Sequence, residues 1–468
     1  MRVAVNPNLV EMEYAVRGPI PMRGAELAAQ GRSIIPCNIG NPQALGQQPI
    51  TFYREVISLL EEPGRIARER RLRAVAGVAP GDLVDEYVLD VAERVLAELK
   101  TGLGAYSESK GPHFIRQAVA NYIDQRDAVD GRVAVASDPD RIFLTNGASE
   151  GVMFLLEILI TGPQDGVMIP IPQYPLYSAA IKRCGGAQVD YHPDEERGWA
   201  LERDILEASL AEAKTRGVNV KAIVVINPGN PTGAILAEHS IREVIDFAEE
   251  HGLLIIADEV YQHNVYGAEF VSFAKVLGKR QVGLFSLHST SKGFTGECGH
   301  RGGYTESRNP PQLEGCELNF LDVLLKRASV GLCPNTVGQA MTYLMVSEPT
   351  EGSPPWGQFV AERDAVLAAL HKKATLIREA FDEMRGVECF GRTGAMYLFP
   401  RLTGLPAGTT DFDYCMALLE ETGLCTVNGS GFHQRAGTSH LRIAFLPPRS
   451  MLAEVLPRWI AFHNAYVS

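Results

Sequence analysis

Between Val84 and Leu99 the apolar residues Val84, Tyr87, Val88, Val91, Val95, Leu96 and Leu99 fall three and four positions apart. That spacing lays one stripe along a helix and predicts that the stripe packs against a core. A second helix is expected from Ile115 to Tyr122. The pattern then changes to short runs rich in Ile and Val at Ile142–Leu144, Val167–Ile171, Ala222–Ile226, Leu253–Ala257 and Val282–Leu287. Runs of this length, apolar at every position rather than at alternate ones, predict strands buried on both faces.

Helical patterns lie between these runs, at Ser149–Leu159, with Ser149 and Glu150 as its expected opening, and at Ile241–Glu250. Alternation of strand and helix predicts an α/β fold, a mostly parallel sheet covered by helices on both faces. In such sheets ligands bind beyond the carboxyl ends of the strands, so the residues following each run are where chemistry is to be sought.

After Glu348 the composition shifts. Glu351–Pro355 is rich in turn formers, a long helix is expected from Phe359 to Met384, and strands are expected at Ala395–Phe399 and His440–Phe445. This predicts a smaller α+β domain. The proline-punctuated first fifty residues predict an extended arm that joins it. The expected division is an arm over 1–50, a large domain over 51–348, and a small domain over 349–468.

The length, 468 residues, fits two or three domains, and 46% apolar with 21% charged residues is ordinary globular usage. A net charge of −12 repels a phosphate backbone, which argues against nucleic acid as a partner, so any anionic ligand must be caught by individually placed cations. No stretch approaches the roughly 18 apolar residues of a membrane span. Eight scattered cysteines, without a CxxC pair, predict reduced thiols and a cytoplasmic setting, or a mitochondrial one if a targeting leader has been removed. No cluster with metal-ligand spacing is apparent, and no metal is expected.

Beyond the strand ends lie Asn227-Pro-Gly-Asn-Pro-Thr-Gly233, Asp258-Glu-Val-Tyr261, His288-Ser-Thr-Ser-Lys-Gly293 and Arg301-Gly-Gly-Tyr304. Each has a plain structural explanation: a surface turn, a helix N-cap, a solvated lysine. Their order at the ends of consecutive strands is hard to obtain by chance. Asn230, Asp258, Tyr261, Ser289, Ser291, Lys292 and Arg301 follow the order and approximate spacing of the class I, fold-type I pyridoxal-phosphate aminotransferases, which this sequence resembles. Arg442, in His440-Leu-Arg-Ile443, matches the arginine with which that family binds the substrate α-carboxylate. Within the class the resemblance is closest to the alanine aminotransferase branch and covers nearly the whole chain. The strings that carry it include Glu13–Pro19, Asn38–Gly46, Ala105–Gly111, Pro170–Tyr177, Gly296–Gly299 and Ala395–Arg401.

The resemblance implies pyridoxal 5′-phosphate as cofactor. Lys292 would hold it as a Schiff base and then shuttle a proton, and Asp258 would pair with the ring nitrogen. Tyr261 and Asn230 would bind the ring 3′-oxygen, and Tyr174 would stack on the ring. Arg301, Ser289, Ser291 and the N–H groups of Ala148 and Ser149, opened by Gly147, would hold the phosphate. Tyr106 would reach that phosphate in a neighbouring subunit, so a homodimer with a shared active site is implied. Arg442 would bind the substrate carboxylate with help from the backbone of Gly40.

The implied reaction is ping-pong transamination between L-alanine and 2-oxoglutarate, giving pyruvate and L-glutamate. A glutamate–glyoxylate aminotransferase fits the same strings. A non-catalytic regulatory protein on this scaffold is a remote alternative, since Lys292 and Asp258 are both present. No second arginine can be assigned from sequence to the distal carboxylate of glutamate.

Overall fold

The computed structural model describes residues 3–12, 18–75 and 79–468. Most of the Glu13–Pro19 string, residues 13–17, therefore lies outside the described residues. The large sheet has seven strands: β1 (Ile142–Leu144), β2 (Asp165–Pro170), β3 (Ala187–Tyr191), β4 (Asn219–Ile226), β5 (Leu254–Asp258), β6 (Leu284–Ser289) and β7 (Gly303–Arg308). Their order across the sheet is β1-β7-β6-β5-β4-β2-β3. Only β7 runs against its neighbours, and the pairs from β6 through to β3 are parallel.

Side chains alternate between two cores, as the two-residue period of a strand requires. Val224 and Ile256 face a layer that includes Val152 and Leu155 from the helix Ala148–Leu159. Ile223, Val225 and Ile255 face the opposite layer with Val244 and Phe247 from the helix Glu238–His251. Burial on both faces is why these runs are apolar throughout. Pairing sets Ile226 opposite Asp258 and Asp258 opposite Leu287, so the loops after β4, β5 and β6 emerge side by side.

Asn264 fastens those loops together. Its fully buried side chain accepts the Gly293 N–H at 2.8 Å, its backbone N–H donates to Tyr261 O at 2.7 Å, and its carbonyl accepts the Ala395 N–H at 2.8 Å.

The 27-residue helix Trp356–Asp382 leads into the C-terminal part of the chain. There β8 (Tyr397–Leu398), β9 (Val427–Asn428) and β10 (Leu441–Ala444) form an antiparallel sheet with β10 at its centre. The expected strand at Ala395–Phe399 is shorter because Ala395 adopts a left-handed backbone with φ of 51°. Helices Asp411–Thr422 and Arg449–Tyr466 flank this sheet, and Trp459 is fully buried among them.

The first fifty residues are not uniformly extended. Pro19–Ala29 is a helix with Pro19 at its first position, and Ile20, Gly24 and Leu27, four and three apart, form its buried side. Further on, Ile35–Pro36 pairs in parallel with Leu424–Cys425, and the Ala444 N–H donates to Cys37 O at 2.7 Å.

Candidate active site

A cleft of about 280 Å³ opens where the loops after β4, β5 and β6 meet β8 and β10. Every site residue expected from the sequence lines it except Tyr106: Gly40, Ala148, Ser149, Tyr174, Asn230, Asp258, Tyr261, Ser289, Ser291, Lys292, Arg301 and Arg442. Tyr106 lies outside the cleft of its own chain with 78% of its surface exposed.

One part of the cleft is built to receive an anion. The helix Ala148–Leu159 begins one residue before the expected Ser149, with Gly147 as N-cap at φ of 78°. That left-handed backbone favours glycine, and a Cβ there would stand 2.7 Å from Arg301 Nη2, which would have to shift. Arg301 donates through Nη2 to Asn146 O at 2.8 Å and to Ser149 Oγ at 3.3 Å, and through Nη1 to Cys298 O at 3.2 Å. Among the described residues no carboxylate pairs with it. Ser289 Oγ accepts the Ser291 N–H at 3.1 Å and donates to Gly302 O at 3.3 Å. A guanidinium without a counter-ion, two hydroxyls and the free N–H groups of a helix start together suit a phosphate.

At the end of β5 the Asp258 carboxylate is 4% exposed. Burial pushes it above the usual aspartate range, opposed by the Tyr177 hydroxyl, the Val260 N–H and the nearby Lys292 amine. Tyr177 donates to Oδ2 at 2.7 Å, whereas Val260 offers Oδ1 only a long 3.4 Å contact. The carboxylate thus keeps accepting capacity for a further N–H.

Lys292 Nζ donates to Gly40 O at 2.8 Å and stands 5.7 Å from the Tyr261 ring centroid, again with no carboxylate partner among the described residues. Asn230 Nδ2 approaches the Tyr261 hydroxyl at 3.4 Å, and that hydroxyl donates to Tyr397 at 3.5 Å. Burial pushes the Tyr261 phenol well up. Burial pushes Tyr397 up as well, but Lys292, Arg442 and the Tyr261 hydrogen bond outweigh it and leave that phenol below its ordinary value. Arg442, 2% exposed, donates to Asn230 Oδ1 at 3.1 Å and to Asn38 O at 2.6 Å.

Three residues that shape the site escape the sequence reading: Tyr177, Tyr397 and Asn264. Tyr177 lies three positions beyond Tyr174, in the first turn of the helix Leu176–Cys184. Tyr397 is opposite Ala444 in the β8–β10 pair, so it shares a face with Arg442 two residues away. No signal in the sequence marks Asn264.

The expectation of no metal cluster needs one correction. Glu207, Glu250 and His251 bring their ligand atoms within 4.8 Å of one another. They lie on helices away from the cleft, and Arg203 binds both carboxylates, so a cation already occupies the group. All eight cysteines are free, and among the described residues no helix is long and apolar enough to cross a membrane.

The residues present fit pyridoxal phosphate: an anion cradle that a Cβ at Gly147 would crowd, an amine, and a buried carboxylate with an acceptor to spare share one cleft. Comparison with known proteins agrees. The family described as aminotransferase class I and II matches residues 76–458. The chain is 42% identical to alanine aminotransferase 1 of Homo sapiens, over 99% of this chain and 94% of that one. It is 40% identical to glutamate–glyoxylate aminotransferase 2 of Arabidopsis thaliana, over 99% and 96%. Among solved structures, alanine aminotransferase from Pyrococcus furiosus superposes with a TM-score of 0.78 at 24% identity, covering 99% of this chain and all of that one, which shows the fold.

A buried acid whose native pKa is raised stabilises the fold below its unfolded pKa, and that contribution is lost as pH climbs through the raised value. In cofactor-free protein Asp258→Asn therefore gains stability relative to the unmutated chain as pH rises from 4 to 7. Urea midpoints at the two pH values measure this, and a variant that loses ground toward pH 7 contradicts it.

Proposed function

The chain belongs to the class I and II aminotransferases, and from that membership we infer that it exchanges an amino group between L-alanine and 2-oxoglutarate, giving pyruvate and L-glutamate. The observation that carries this reading is the Lys292 amine, without a carboxylate partner among the described residues, in one cleft with the buried Asp258 carboxylate and the Arg442 guanidinium. When bound, pyridoxal phosphate supplies an electron-poor ring that accepts the negative charge left at an amino acid's α-carbon when its proton departs.

The residues of the chain divide the remaining work. Arg301, Ser289, Ser291 and the N–H groups of Ala148 and Ser149 hold the phosphate. Asp258, backed by Tyr177, would keep a proton on the ring nitrogen, because an anion in contact raises that nitrogen's proton affinity. Tyr261 and Asn230 would bind the ring oxygen, and Tyr174 would stack on the ring. Lys292 would hold the cofactor, and its Nζ would serve as the base that shuttles the proton leaving the substrate's α-carbon. Arg442 binds the α-carboxylate through its planar fork, and the arm over 1–50, joined at Ile35–Pro36, moves with the small domain over 349–468 as the cleft closes.

A second reading, transfer from glutamate to glyoxylate, is supported by the 40% identity to the plant enzyme of that name. With L-glutamate as donor and equal pyruvate and glyoxylate as competing acceptors, alanine is the expected major product. An excess of glycine would favour the second reading.

The reading includes a homodimer in a reducing, cytoplasmic setting, in keeping with eight free thiols. Tyr106, Val330 and Leu332 are exposed by 78%, 79% and 51%, and the Thr336 hydroxyl ties their loops together at Leu103 O. A second copy covers these side chains and takes Tyr106 to its phosphate site. Mixing inactive Tyr106→Ala and Lys292→Ala proteins should then restore part of the activity through hybrid dimers. No recovery, with hybrids shown to form, would contradict the shared site.

A further inference from the structure

The guanidinium carbon of Arg442 lies over the face of the Tyr397 ring at 4.3 Å and over that of Phe432 at 4.8 Å. Both rings are buried, exposed by 2% and 0%. Neither is loosely held. Tyr397 is fixed by the β8–β10 pairing, and Phe432, closing the turn Gly429–Phe432, stands edge-on to Phe399 at 6.0 Å and 89°. Two of the Arg442 nitrogens are engaged, Nη1 with Asn230 and Nη2 with Asn38, while Nε is buried without a partner. A guanidinium carries five N–H donors, so three remain unspent, one of them out of water. A buried donor left unpaired is costly, which marks this edge as one a ligand completes.

We propose that Tyr397 and Phe432 clamp the plane of Arg442, so that the cleft takes planar carboxylates edge-on and discriminates against tetrahedral anions of the same charge. The proposal rests on the reading of Arg442 as the carboxylate-binding residue. Two aromatic faces within 4.8 Å of the guanidinium carbon attract the cation and hold it in place, leaving its unspent N–H donors to the ligand. A carboxylate places both oxygens in that plane and satisfies two donors at once. A sulfonate carries a third oxygen out of that plane, which the in-plane donors cannot reach. Tyr397 and Phe432 are thus positioning residues, acting on the substrate through Arg442.

Calorimetric titration of the cofactor-loaded protein with propionate and with ethanesulfonate, two single-charged anions of similar length, tests this. Propionate should bind about tenfold tighter or better, and Tyr397→Leu or Phe432→Leu should each weaken it by about tenfold while leaving ethanesulfonate nearly unchanged. Tyr397→Phe keeps the ring and should keep the preference. Equal affinity of the unmutated protein for the two anions overturns the clamp alone, as does unchanged propionate affinity in both leucine variants. If those variants do not fold, the comparison on the unmutated protein decides. Failure of propionate to bind the unmutated protein would overturn the carboxylate reading itself, and the clamp with it.

Discussion

The Asp258 carboxylate closes an apolar strand and is almost wholly withdrawn from water, with the Tyr177 hydroxyl at 2.7 Å as its one short partner. Ionising a carboxyl in such a place is costly unless a donor or cation meets it. The protein supplies one donor and leaves Oδ1 with a long contact, so the carboxylate keeps room to accept a further N–H. The position follows from register: Asp258 stands between Ile226 and Leu287, and the loops beyond those residues bring Asn230 and Lys292 to the same cleft. Sheet pairing thereby converts sequence order into a chemical site.

The cations of that site come from different parts of the chain. Lys292 follows β6 of the large sheet, Arg442 lies in β10, and both donate to carbonyls of the arm, at Gly40 and Asn38. Gly40 has to be glycine, since a Cβ there would fall 2.0 Å from the Tyr397 hydroxyl. The arm, the loop carrying Lys292 and the sheet carrying Arg442 therefore share a single contact region. Asn264 reinforces this by bonding both Gly293 and Ala395.

Much of this was legible in the sequence because the central strands are buried on both faces and carry an unbroken apolar signal. β3, as Ala187-Gln-Val-Asp-Tyr191, lies at the sheet edge and mixes polar with apolar residues, so it gives no such run. β7 is polar in sequence, Gly303-Tyr-Thr-Glu-Ser-Arg308, yet fully buried, because Glu306 and Arg308 pair with each other and Ser137 bonds Glu306. The residues after the strands were readable because the topology rule points to them. Tyr177, Tyr397 and Asn264 were not, because each acts through a contact distant in sequence. The helix Pro19–Ala29 was obscured by prolines read as extended chain, although Pro19 stands at the one helical position that favours proline.

The account as a whole requires that one particular amine carry the cofactor. Borohydride reduction of the protein loaded with pyridoxal phosphate, followed by proteolysis and peptide mass analysis, reads that amine directly. The account predicts the added mass on the peptide containing Lys292 and at that residue within it. A label on a different lysine, or none on protein shown to have bound the cofactor, would contradict it.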